Sequence, residues 1–163
     1  MKTKVKVLWQ KYKYKLNFLI LILPIYFFYR SLHPVFPPAW PAQTIGSFEQ
    51  KFGPFEITPM PFDLEPAYRH EDTYVKDFLL MFNQGDISQI RQAYLNIGEQ
   101  PLALDELQQG GDGILHGSRH GQHVHAITQG AFTPGQKMWL TIQNWQGKQM
   151  TTSWDLPASL LTQ

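Results

Sequence analysis

Eight of the chain's twelve prolines fall between Pro34 and Pro66. Proline fixes φ, lacks an N–H donor and pushes the preceding residue out of the α region. No regular helix can run through that stretch, and a strand within it belongs at a sheet edge. The prolines therefore divide the chain. Ahead of them lies a segment able to form one long helix. Behind them, glycine and proline punctuate a series of short apolar runs.

The leading segment is basic and then apolar. Residues 1–30 carry Lys2, Lys4, Lys6, Lys11, Lys13, Lys15 and Arg30 and no acidic residue, and Leu16–Tyr29 is almost wholly apolar. This order is that of an export signal. The strict apolar run is short for a bilayer core of about 30 Å. It is extended by Leu32, Val35 and Phe36, while Arg30 can snorkel and Tyr26, Tyr29 and Trp40 suit an interfacial belt. An uncleaved signal anchor is the favoured reading. A cleaved signal peptide (with Ala39 and Ala42 as small residues) and a buried core helix are the alternatives, the six lysines speaking against burial. Lysine-rich flanks stay cytoplasmic, so the expected order is a basic cytoplasmic tail over 1–15 and a transmembrane anchor over 16–36. A proline-rich stalk over 37–52 then leads to a periplasmic domain over 53–163, giving a single-pass inner-membrane protein.

All thirteen acidic residues lie from Glu49 onward against seven Lys and Arg, so the body is net negative and no nucleic-acid partner is expected. The absence of cysteine excludes disulfides, thiolate sites and cysteine nucleophiles. Periodicity in the body is close to two. "GPFEITPMPFDL" reads as a proline-bearing edge strand, "TYVKDFLLMFN" as a strand closed by the turn signal "NQGD", and "SQIRQAYLNIG" fits alternation as well as a helical stripe, with strand preferred. "PLALDEL" is a short strand or one helical turn. "QHVHAIT" is a strand, and "KMWLTIQNW", "QGK" and "QMTTSWDLP" form a hairpin. Short strands at such spacing predict an all-β, immunoglobulin-like sandwich preceded by one N-terminal transmembrane helix.

Within this frame "ILHGSRHGQHVHAI" holds four of the six histidines. In a strand, residues i and i+2 share a face about 6.5–7 Å apart, so His123 and His125 can reach one ion. Gly117 and Gly121 let the backbone fold back, bringing His116 and His120 into range. Imidazoles suit zinc, copper(II) and nickel, and three or four of them make a site. His70, Glu71 or Asp112 can add a further ligand (nitrogen from His70, oxygen from the carboxylates) or orient an imidazole from outside. Met60, Met81, Met138 and Met150 lie in apolar runs and read as core. The competing reading makes the histidines the solvent face of an ordinary strand, and the domain a metal-free interaction subunit of a membrane complex. Ser118 between His116 and His120 is not a triad, and no catalytic motif is present, so no enzyme is expected.

The span, the proline stretch and the terminal "GQKMWLTI" strand together resemble the small membrane-anchored YtkA-like and FixH-like proteins. In those a glycine- and histidine- or methionine-containing segment precedes a strand of the form G-x-W-x-L-x-I. "HGSRHGQHVHA" occupies that place here, with histidines where the family has methionine. The resemblance implies a β-sandwich accessory domain that handles a metal, often copper, beside a membrane transporter or an oxidase.

Overall fold

The computed structural model describes residues 2–33, 37–49 and 53–161. It divides into two compact units, Met1–Phe36 and Pro37–Gln163. The first is one helix, α1 (Lys2–Leu32), with Pro24 inside it and Arg30 in its last turn, where a cation complements the helix dipole. The helix begins inside the segment expected to be a tail. Its large apolar side chains from Ile20 to Tyr29 are exposed. Among the described residues no single helix is long and apolar enough to cross a membrane; Val5–Lys15 and Ile20–Leu32, bent by 43°, meet that criterion only as a pair.

The second unit is built of strands, as the alternation predicts. They are β1 (Gln43–Ile45), β2 (Phe55–Pro61), β3 (Tyr68–His70), β4 (Thr73–Gln84), β5 (Ile90–Gly98), β6 (His116–Ser118), β7 (Gly121–Thr128), β8 (Lys137–Asn144) and β9 (Gln149–Asp155). Two short helices, α2 (Leu104–Gln109) and α3 (Ala158–Leu161), complete it. The strands form one sheet in the order β1-β2-β4-β7-β5-β8-β9, with β3 on β4 and β6 on β7. The sheet is nearly closed, a barrel-like sandwich. Across the gap between its end strands, Thr152 donates to Gln43 Oε1 at 3.0 Å, and Trp154 Nε1 donates to the Pro41 carbonyl at 3.0 Å.

Inside, alternate residues of every long strand make a single core. Phe55, Ile57, Phe78, Leu80, Leu95, Val124, Ala126, Leu140 and Ile142 are fully buried or nearly so. "SQIRQAYLNIG" is a strand from Ile90 onward, after a one-turn 3₁₀ helix over Ile87–Gln89. "PLALDEL" takes the helical option, with Leu107 buried. The terminal hairpin is in register from Lys137↔Asp155 to Gln143↔Gln149. Its loop is held by Asn144, whose side-chain oxygen accepts from the N–H groups of Gln146 at 3.1 Å and Lys148 at 2.8 Å.

Two expectations change. Residues 37–49, the described part of the expected stalk, belong to the folded unit. Trp40 is 7% exposed and meets Phe78 edge-on at 5.3 Å, and β1 pairs with β2. An indole ring buries more surface in a core than at an interface, so Trp40 plugs the barrel instead of marking a membrane boundary. The proline strand β2 is correspondingly not outermost. Because β1 covers only Phe55–Ile57, Pro59 and Pro61 still face an edge, where Trp40 N–H bonds the Pro59 carbonyl at 2.8 Å. Their missing donors leave no bond unmade there.

Candidate metal site

The site is a consequence of register. Phe78, Leu80, Val124 and Ala126 point inward, so Asp77 on β4 and His123 and His125 on β7 point out. The antiparallel pairing sets Asp77 opposite His125 and Leu79 opposite His123. β6 folds back on β7 with His116 opposite His123. Gly117 makes that close return possible: its φ is +144°, and a Cβ there would lie 2.5 Å from the Gly121 carbonyl oxygen. On the far side of β4, β3 brings Tyr68 opposite Val75 and His70 opposite Thr73. The stretch ahead of β6 is wedged between β5 and β7: Gly113 N–H bonds the His125 carbonyl, while the Gly113 carbonyl accepts from Leu95 N–H. This wedge carries Asp112 toward the same face.

One ligand atom each from Asp77, His123 and His125 lies within 4.8 Å of the others, and all three side chains are half-buried. His125 Nδ1 is 2.5 Å from Asp77 Oδ1, and His123 Nε2 is 4.0 Å from the same oxygen. The Tyr68 hydroxyl donates to Asp77, 3.1 Å from each carboxylate oxygen, and lies 3.3 Å from His125 Nδ1. The His123 and His125 rings are 4.7 Å apart at 83°, and Phe62 closes the side of His123 edge-on at 5.1 Å.

Around these stand supporting groups. His116 Nδ1 is 3.3 Å from the Ile114 carbonyl, which can only accept, so Nδ1 carries the proton and Nε2 accepts. His116 Nε2 lies 3.1 Å from His123 Nδ1, which must therefore donate. This chain leaves the His123 Nε2 lone pair free on the side of Asp77, as a metal ligand requires. His70 donates from Nδ1 to Asp112 Oδ1 at 3.0 Å, and its ring stacks on His125 at 5.2 Å and 12°.

The electrostatics favour neutral imidazole. Burial, then the neighbouring His125, hold His123 below its ordinary value; Asp77 opposes this and His116 adds to it. Tyr68 is pushed up to about 12, first by burial and then by its hydrogen bond to Asp77, with the charges of Asp77, Asp112 and Asp63 adding.

Of the four histidines expected as ligands, His116, His123 and His125 come together and His120 does not. His120 sits at the tip of the two-residue turn between β6 and β7, its N–H donating to Ser118 Oγ at 3.2 Å. It lines a separate depression with Arg119, Asp86 and Phe82. His70 and Asp112 join the cluster as flanking groups. Glu71 is exposed in the β3–β4 turn, at φ 48°, with its carbonyl bonded by Arg69 Nε. Asp77 and Tyr68 were not anticipated. For Asp77 the signal is visible in retrospect: it is the lone carboxylate inside the apolar run "YVKDFLLMF", and a charge at that parity needs a partner.

A model of the family described as "Uncharacterised conserved protein UCP029505" matches residues 8–157. No curated protein and no solved structure matches the chain significantly.

Proposed function

The chain belongs to that family, whose model spans nearly all of it, and from this footing we propose that the protein is a membrane-anchored, periplasmic metal-binding accessory protein. Its ion is a transition metal (copper, zinc or nickel) bound by Asp77, His123 and His125, and its role is to assist metal transport or the assembly of a metalloprotein in the membrane. The observation that carries the reading is the convergence of those three donors within 4.8 Å on the outer face of a rigid sheet. Two imidazoles and a carboxylate are a usual donor set for such ions. His116, by fixing the His123 tautomer, and Phe62, by shielding its edge, are the supporting groups.

The placement rests on the basic, acid-free N-terminus and on the exposed apolar side chains of α1. On this reading α1 holds the domain at the inner membrane, beside a transporter or oxidase that gives or takes the ion. The sandwich is of immunoglobulin-like type and the protein is not an enzyme, in keeping with the resemblance to YtkA-like and FixH-like proteins.

Isothermal titration of the full chain with Zn²⁺, Ni²⁺ and Cu²⁺ near neutral pH tests it. We expect one ion per chain, with binding lost in Asp77→Ala and in His123→Ala/His125→Ala. His116→Ala should weaken binding by about 10–100-fold, the usual effect of an orienting group. His120→Ala should leave it unchanged. Binding that is absent, or that survives the double variant, overturns the metal reading and leaves a metal-free docking domain.

A further inference from the structure

Resting on the metal reading above, we propose that Tyr68 is the fourth ligand, bound as a phenolate, and that the ion it selects is cupric.

The geometry is that of a coordination sphere nearly assembled. The Tyr68 oxygen, Asp77 Oδ1 and His125 Nδ1 come from three adjacent strands and form a triangle with sides of 3.1, 3.3 and 2.5 Å. With metal–ligand bonds of about 2.0–2.1 Å, neighbouring donors sit about 2.9 Å apart in a tetragonal site and about 3.3 Å apart in a tetrahedral one. Two sides already lie within that range. The third is short because a proton lies between Asp77 and His125, and it opens when the proton is replaced by an ion. His123 Nε2, 4.0 Å from the same Asp77 oxygen, completes a set of two nitrogens and two oxygens.

Charge points to the same arrangement. A carboxylate and a phenolate together cancel a divalent ion held by two neutral imidazoles, whereas the three-ligand site would leave one positive charge in a half-buried pocket. None of the four donors is sulfur, which disfavours cuprous ion, and mixed nitrogen and oxygen donors suit Cu²⁺ in tetragonal geometry. For such donors Cu²⁺ stands above Ni²⁺ and Zn²⁺ in affinity. In the step itself an Oη–Cu bond forms and the O–H bond breaks. The phenolic proton leaves to solvent, His125 changes tautomer so that its proton passes from Nδ1 to Nε2 and the imidazole stays neutral, and no oxidation state changes. Zinc is expected to bind with Tyr68 still protonated.

The test is the visible spectrum of the full chain with one equivalent of Cu²⁺. A phenolate-to-copper charge-transfer band is expected, with tyrosinate ring modes enhanced in the resonance Raman spectrum. Both should vanish in Tyr68→Phe and persist in Tyr74→Phe, and Tyr68→Phe should weaken Cu²⁺ binding by at least about 10-fold. Wild type should release one more proton per Cu²⁺ than per Zn²⁺. If Tyr68→Phe fails to fold, ring-deuterated tyrosine in the wild-type chain reads the same ligand by the shift of those modes. Stoichiometric Cu²⁺ binding that requires His123 and His125 but shows no such band overturns the Tyr68 assignment and leaves the metal reading standing. Absence of Cu²⁺ binding overturns the cupric assignment, and absence of Zn²⁺ and Ni²⁺ binding as well removes the metal reading.

Discussion

At the scale of the residue, His123 couples the site to acidity. Its folded value is depressed, by burial first and then by His125, so the unfolded chain binds more protons than the folded one once pH drops below the ordinary histidine value near 6.5. The stability that neutral His123 confers is complete above that value and is lost as pH falls through the depressed one. Urea midpoints of the metal-free chain should therefore fall from neutral pH to about pH 5, and His123→Gln should flatten the fall. An unchanged slope in the variant would place the titration elsewhere. The strand periodicity made His123 and His125 legible as a pair, because period two needs no tertiary information. His120 was not legible as an outsider, because a two-residue turn at Arg119–His120 consumes it, and turn length is decided by the pairing of Ser118 with Gly121. Tyr68 was hidden for the opposite reason: it reaches Asp77 across a strand pair, 9 positions away in sequence.

At the scale of the element, the β6–β7 hairpin is what aims His116. Its return depends on Gly117, where an added Cβ meets backbone, which cannot move aside as a flexible side chain can. Gly117→Ala should cost roughly 1–3 kcal/mol. It should also weaken metal binding, by shifting His116 away from His123, and thermal melts beside the titration will separate the two effects. The long strands and the terminal hairpin were readable because alternation and turn residues agree there. "PLALDEL" was ambiguous because a seven-residue stretch is too short for either period to declare itself. β2 was read as outermost because nothing local announces that three residues from a proline-rich stretch, Gln43–Ile45, will pair with it.

At the scale of the whole molecule, residues 37–49 are structural. Trp40 fills the barrel beside Phe78, and Pro41 and Gln43 bond the last strand, so this segment draws the first and last strands of the sheet together. Trp40→Ala should cost about 3–5 kcal/mol, the range for emptying a buried aromatic site, measurable as a shift of the urea midpoint at constant slope. A residue in a free stalk would cost close to nothing. Composition suggested a spacer because Pro37, Pro38 and Pro41 crowd its start, whereas burial of one indole outweighs them. The alternating faces of β4 and β7 have a consequence of their own. Donors and core residues are interleaved along the same two strands yet never share a side, so the outer ply can be rewritten, one donor type for another, without disturbing the inner ply that holds the barrel shut. Ion preference and foldedness are thus separable properties of this chain, able to drift independently.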